Sequence, residues 1–119
     1  MTALVGVDIG TQSLKAVVCG DDFAVRGEAA IAYRTDTPRA GWAEQDPAQW
    51  LAALAPAIGG ALRNAGVAAA EVAAIGVAGQ LDGCIAVDGS GAALAPCLIW
   101  MDRLATAELD TIDRRRVRE

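Results

Sequence analysis

Asp8, Gly10, Thr11, Gln12, Ser13 and Lys15 put a carboxylate, a flexible turn residue, three side-chain donors and a cation within one short stretch, Asp8-Ile9-Gly10-Thr11-Gln12-Ser13-Leu14-Lys15. Such a set suits a phosphate held beside a metal ion. Gly10 lets a ligand approach the backbone, the turn's N–H groups and the side chains of Thr11, Gln12 and Ser13 offer donors, and Asp8 holds Mg²⁺ through water, as that ion prefers. Lys15 either adds charge at the phosphate or supports the hairpin from outside. An ordinary hairpin with a polar tip is the alternative reading of the same residues.

The flanking pattern positions this turn. Leu4, Val5, Val7 and Ile9 read as a buried strand, and Leu14 to Cys19 as its antiparallel return, a hairpin over 4–19. A third strand is expected over 25–33, and then a polar loop. Asp46 caps a helix that begins at Pro47 and runs over 47–64, with Trp50, Leu54, Ile58 and Leu62 as its core-facing stripe and Leu51 beside it. Pro56 and Gly59-Gly60 predict a bent helix or two pieces. The apolar run 72–78 reads as a strand buried on both faces, parallel to the first because a helical crossover precedes it. At its carboxyl end stand Gln80, Leu81 and Asp82, where open α/β sheets place ligand contacts. A hairpin over 84–100 and a helix over 104–114 complete the α/β reading.

Composition limits the function classes. The 119 residues amount to one domain. A net charge of −5 argues against nucleic-acid and anionic-membrane partners, which need a basic face. Arg114, Arg115, Arg116 and Arg118 read as a solvated helix end. With no histidine in the sequence, histidine general bases, Ser-His-Asp triads and histidine metal sites are excluded. Cys19, Cys84 and Cys97 are odd in number and lie in apolar stretches, so they read as small buried side chains in a reducing, cytoplasmic setting. No uncharged run is long enough to span a bilayer.

Four blocks in order resemble the FGGY carbohydrate kinases of the actin-like ATPase superfamily, the xylulokinase branch most closely. Asp8 to Lys15 is similar to the family's first phosphate motif. Gly41-Trp42-Ala43-Glu44-Gln45-Asp46-Pro47 with Trp50 resembles its Gly-Trp-x-Glu-Gln-Asp-Pro-x-x-Trp segment. Ile75 to Gly83 resembles its sugar-contact segment, and Leu98 to Arg103 resembles Leu-Trp-x-Asp-x-Arg. The resemblance runs from about residue 4 to 109.

The resemblance implies a ribonuclease H-like mixed sheet, incomplete here, whose first three strands are antiparallel. It also implies ATP and Mg²⁺ as cofactors and a sugar or polyol as phosphate acceptor. On its terms Asp8 orients hydrated Mg²⁺, Gly10 to Ser13 cradle the transferring phosphate, and Gln80, Leu81, Asp82 and Asp102 face the sugar. The catalytic base and the adenine pocket are expected beyond residue 119, so the chain by itself is expected to be inactive. The remainder of the kinase chain, or a second copy, is its expected partner. Leu81-Asp82 stands where xylulokinases carry Met-His, Met101 where Asn precedes the later Asp, and Leu104 near the expected arginine, so the expected acceptor is a xylulose-like ketose whose hydroxyls are arranged differently from those of xylulose. An ionised Asp82 only accepts hydrogen bonds, whereas histidine also donates. The same residue read structurally is an exposed turn aspartate, and Trp42 and Trp50 read as packing anchors. A non-catalytic partner or regulatory module that keeps the phosphate hairpin is the alternative function. An acyl-phosphate kinase or filament protein would share the first block but not Gly41 to Pro47.

Overall fold

The computed structural model describes residues 2–116, and Arg118 lies outside them. Strands β1 (Ala3–Ile9), β2 (Ser13–Cys19), β3 (Val25–Ala32) and β5 (Val72–Gly79) form one mixed sheet in the order β3-β2-β1-β5. The first three are antiparallel neighbours, and β5 runs parallel to β1. A parallel return needs a crossover, and α1 (Pro47–Ala65) supplies it. The two-residue strands β4 (Glu44–Gln45) and β6 (Cys97–Leu98) pair beyond the carboxyl end of β1, and α2 (Thr106–Arg116) follows.

Alternation along β1 and β2 decides which face meets α1. Ala3, Val5 and Val7 of β1 and Leu14, Ala16 and Val18 of β2 are buried in one core with the helix. Asp8 and Lys15 face each other across the β1–β2 ladder, on the opposite face. Asp46 accepts a hydrogen bond from the Ala48 N–H at 2.9 Å, and Gly66, in the left-handed region at φ 66°, ends the helix. The Val67 N–H returns to the Leu62 carbonyl at 3.1 Å, closing a Schellman motif.

Three expectations about α1 and β5 change. Of the two alternatives, a bent helix or two pieces, the second is excluded: α1 is one continuous element through Pro56. Pro56 sits on the exposed side, where water can solvate the Ala52 carbonyl that loses its partner. The deepest helix residues are Ala53, Ala57 and Ala61 with Leu62, while Leu54 and Ile58 flank them half-buried and Leu51 is 72% exposed. Trp50 packs instead against a second cluster of Ala43, Cys97 and Ile99. Small side chains line the contact because the helix rides on the backbone of β3: a Cβ at Gly60 would stand 2.8 Å from the Ala29 Cβ. Finally, β5 is exposed rather than buried on both faces, with Ile75 54% and Val77 65% exposed. It is the edge strand of this sheet, and α1 packs mainly over β3 and β2.

The expected hairpin over 84–100 is reduced to isolated bridges, Cys84 with Leu98 and Val87 with Ala93, and β6 pairs with β4 as well. Between them Asp88 Oδ1 accepts from the Ser90 N–H, the Ser90 hydroxyl and the Ala92 N–H, so the turn is held by a side chain. The last helix begins at Thr106 rather than Leu104. Asp102 Oδ1 takes the Leu104 N–H at 2.9 Å and the Thr106 hydroxyl donates to the Arg103 carbonyl, which spends the first turn on side-chain bonds. Of the cysteines, Cys97 is buried, Cys19 half-buried and Cys84 exposed, the last against expectation because its segment lies on the open surface.

Candidate active site

The turn from Gly10 to Ser13 directs its peptide groups. The Gly10 carbonyl accepts from the Tyr33 hydroxyl, the Thr11 carbonyl from Gln45 Nε2 and from the Thr35 hydroxyl, and the Gln12 carbonyl from the Tyr33 N–H at 3.1 Å. Each of these carbonyls therefore points into the protein. In a trans peptide the N–H points opposite its carbonyl, and no cis bond occurs among the described residues. The N–H groups of Thr11, Gln12 and Ser13 consequently face outward as a set, the arrangement that binds anions. The Gly10 N–H, by contrast, closes the turn onto the Ser13 carbonyl at 3.0 Å.

Asp8, exposed at the end of β1, stands beside this turn between two hollows. A smaller one of about 210 Å³ is lined by Asp8, Gly10, Thr11, Gln12, Ser13 and Lys15. A larger one of about 470 Å³ shares Asp8, Gly10 and Thr11 and adds Gly79, Gln80, Leu81, Asp82 and Trp100. The sheet produces this juxtaposition: parallel pairing sets Ile9 opposite Gly79, and the Gln80 N–H continues the ladder to the Ile9 carbonyl at 2.9 Å. Both strands thus deliver their polar residues at the same carboxyl edge.

Asp82 holds φ at 60°, a left-handed conformation that aspartate tolerates better than most residues. Asp102 lies elsewhere. Its Oδ2 accepts the Ala43 N–H at 2.9 Å and its Oδ1 the Leu104 N–H, so both oxygens are engaged with backbone, and it does not line the larger hollow. Of these two hollows Lys15 lines the smaller and not the larger.

Three residues at the site escaped the sequence reading. Tyr33 holds the Gly10 carbonyl, and its hydroxyl is pushed above the ordinary tyrosine pKa, first by burial and second by the negative charge of Asp8. Trp100 lines the larger hollow and donates from Nε1 to the Thr11 hydroxyl at 3.0 Å. Gln45 is fully buried. The first two contacts join residues far apart in sequence, and although Trp100 lies in the Leu98 to Arg103 block nothing local marks its partner. Gln45 sits inside a recognisable block, yet a glutamine before a helix cap looks like any surface residue.

One carboxylate does not make a metal site: among the described residues no group of three or more His, Cys, Asp or Glu side chains could hold an ion. Asp8 beside outward amides fits an ion held mostly by water and phosphate oxygens, the coordination Mg²⁺ favours.

Residues 3–119 match the family model described as FGGY family of carbohydrate kinases, N-terminal domain. The chain is 38% identical over 113 residues to the glycerol kinase of Aromatoleum aromaticum, covering 94% of this chain and 23% of that protein. It is 41% identical over 100 residues to the xylulose kinase of Streptomyces rubiginosus, covering 83% of this chain and 20% of the relative. The crystal structure of xylulose kinase from Rhodospirillum rubrum superposes with a TM-score of 0.86 at 27% identity, over 95% of this chain and 23% of the other. The chain therefore spans about a fifth to a quarter of the length of these relatives. On the strength of the family model, the relatives and the shared mixed sheet, it belongs to the FGGY family of carbohydrate kinases.

Proposed function

We propose that these residues form the phosphate- and acceptor-binding part of an ATP-dependent kinase that transfers the γ-phosphate to a hydroxyl of a sugar or polyol. The observation that carries the reading is the shared wall of the two hollows, in which Asp8, Gly10 and Thr11 separate a set of outward amides from a pocket of hydrogen-bonding and apolar groups. Phosphoryl transfer requires positioning and charge neutralisation more than covalent help, and this site is built from amides, hydroxyls and one carboxylate. Asp8 would hold Mg²⁺ through water, and bound Mg²⁺ supplies charge neutralisation at the phosphates.

Within this reading the amides of Thr11, Gln12 and Ser13 hold the transferring phosphate, with Lys15 at the outer rim of the same hollow. Gln80 and Asp82 contact acceptor hydroxyls, Leu81 and Trp100 pack on its carbon skeleton, and Asp102 acts from behind by fixing the Ala43 loop. The acceptor differs from xylulose in its hydroxyl pattern, because Asp82 in its ionised form only accepts hydrogen bonds. The base that deprotonates the acceptor comes from chain outside these residues, which also covers the exposed β5 strand, and the enzyme works in the cytoplasm. The 119 residues alone turn over negligibly, since loss of a general base costs roughly 10²–10⁴ in rate.

A panel of sugars and polyols assayed for acceptor-dependent ADP formation by the native gene product tests this. One preferred acceptor other than D-xylulose is expected. Clear preference for D-xylulose contradicts the role given to Asp82, and acceptor-independent ADP formation contradicts the kinase reading.

A further inference from the structure

We infer that Gln45 is a positioning residue that locks the phosphate turn to the acceptor segment. Its amide is fully buried and uses its whole hydrogen-bonding capacity. Nε2 donates to the Thr11 carbonyl and, at 2.7 Å, to the Thr35 hydroxyl. Oε1 accepts from Trp50 Nε1 at 3.0 Å and from Gln80 Nε2 at 2.9 Å. An indole N–H only donates and a carbonyl only accepts, so the chemistry of these neighbours fixes which way the amide faces.

The bonds close into a directed ring. The Thr11 hydroxyl, which accepts from Trp100, donates to Gln80 Oε1 at 3.4 Å; Gln80 donates to Gln45; Gln45 donates back to the Thr11 carbonyl. One residue of the phosphate turn is thereby joined to the acceptor segment twice, directly through its side chain and indirectly through Gln45. The peptide whose carbonyl Gln45 holds is the one whose N–H, on Gln12, faces the phosphate side. Without that donor, the Thr11 carbonyl keeps only the 3.5 Å bond from the Thr35 hydroxyl, which Gln45 also holds, and the Thr11–Gln12 peptide can rotate and carry the amide away from a bound phosphate. Gln80 at the same time loses the acceptor that fixes its amide. Gln45 touches neither ligand in this arrangement and acts through Thr11 and Gln80.

The catalytic consequence rests on the kinase reading, and the structural one does not, so the test has two arms. The first is amide hydrogen exchange, followed residue by residue, in the parent and Gln45→Leu proteins. Exchange at Gly10 and Tyr33, whose N–H groups hold the turn, is expected to quicken about ten-fold while Val5, Val7 and Ala16 stay within about two-fold. Uniform acceleration, or none, overturns the inference. The second arm is turnover of the native gene product with MgATP and its preferred acceptor, comparing the parent with Gln45→Glu. A buried carboxyl can donate to the Thr11 carbonyl only when protonated, so the ratio of variant to parent kcat is expected to fall about ten-fold between pH 6 and pH 8.5. A pH-independent ratio overturns the role of Gln45, whereas an inactive parent overturns the kinase reading and leaves the exchange result to decide on Gln45.

Discussion

A Cβ on Gly27 would collide with the backbone nitrogen of Ala65, so β3 and α1 meet backbone to backbone. The Ala61 carbonyl oxygen, at 2.6 Å from the same point, bounds the contact on the other side. Neither group is the end of a flexible side chain, so neither can swing away. Gly27→Ala is expected to destabilise the fold by about 3 kcal/mol, at the upper end of overpacking costs. Urea unfolding checks it, and a change below about 0.5 kcal/mol, the level of an ordinary surface substitution, would show that the helix stands off the strand.

Pro56 lies on the exposed side of the same helix and donates no hydrogen bond to Ala52. Pro56→Ala is expected to raise stability by about 1–3 kcal/mol, the helix-interior penalty of proline less what its stiffness contributes through the unfolded chain. A lower melting temperature for the variant would mean that the proline shapes the helix against the sheet.

Tyr33 is the sole tyrosine, so tyrosinate absorbance reads one residue. Its pKa in the fold is raised above 10.0 by burial and then by Asp8. The unfolded chain releases this proton first as pH climbs. The stabilising contribution is thus complete below pH 10 and is lost as pH rises through the folded value. The absorbance midpoint is expected above 10 in the parent and lower in Asp8→Asn, which removes the second cause. An unshifted midpoint in the variant would separate the two groups electrostatically.

Asp82 and Asp102 are both expected from sequence to face the sugar; Asp82 lines the larger hollow, whereas both oxygens of Asp102 accept backbone N–H groups. Asp82→Asn of the native gene product is expected to raise KM for the preferred acceptor about ten-fold, the order of one lost hydrogen bond to a charged group. Asp102→Asn, which keeps an oxygen but halves the backbone contacts, is expected to act on melting temperature more than on KM. The reverse pattern in steady-state kinetics and melting curves would restore Asp102 to the acceptor pocket.

Much of this arrangement was legible in the residues and some was not. The β1–β2 hairpin, the Asp46 cap and the turn that brings Asp8 and Gly10 to Ser13 around one hollow follow from local pattern, because each depends on neighbours in sequence. Ala53, Ala57 and Ala61 do not stand out in the sequence because hydrophobic size marks a core face only where side chains fill it, whereas a helix seated on a strand backbone needs small residues there. The β5 residues were read as doubly buried from their apolarity, which reports what the strand can tolerate rather than what covers it. Gln45, Tyr33 and Trp100 make contacts across 34, 23 and 89 positions of sequence, a range over which no periodicity carries information.

The most direct measurement is acceptor-dependent ADP formation by the native gene product in the presence of Mg²⁺, with parent and Asp8→Asn compared on the preferred sugar or polyol. The account predicts turnover in the parent that requires both Mg²⁺ and acceptor, and a loss of about 10²-fold or more in the variant, the scale set by misplacing a reacting group. Equal turnover in the two proteins would contradict the place given to Asp8 beside the phosphate turn, and a parent that forms no ADP with any acceptor would contradict the kinase reading itself.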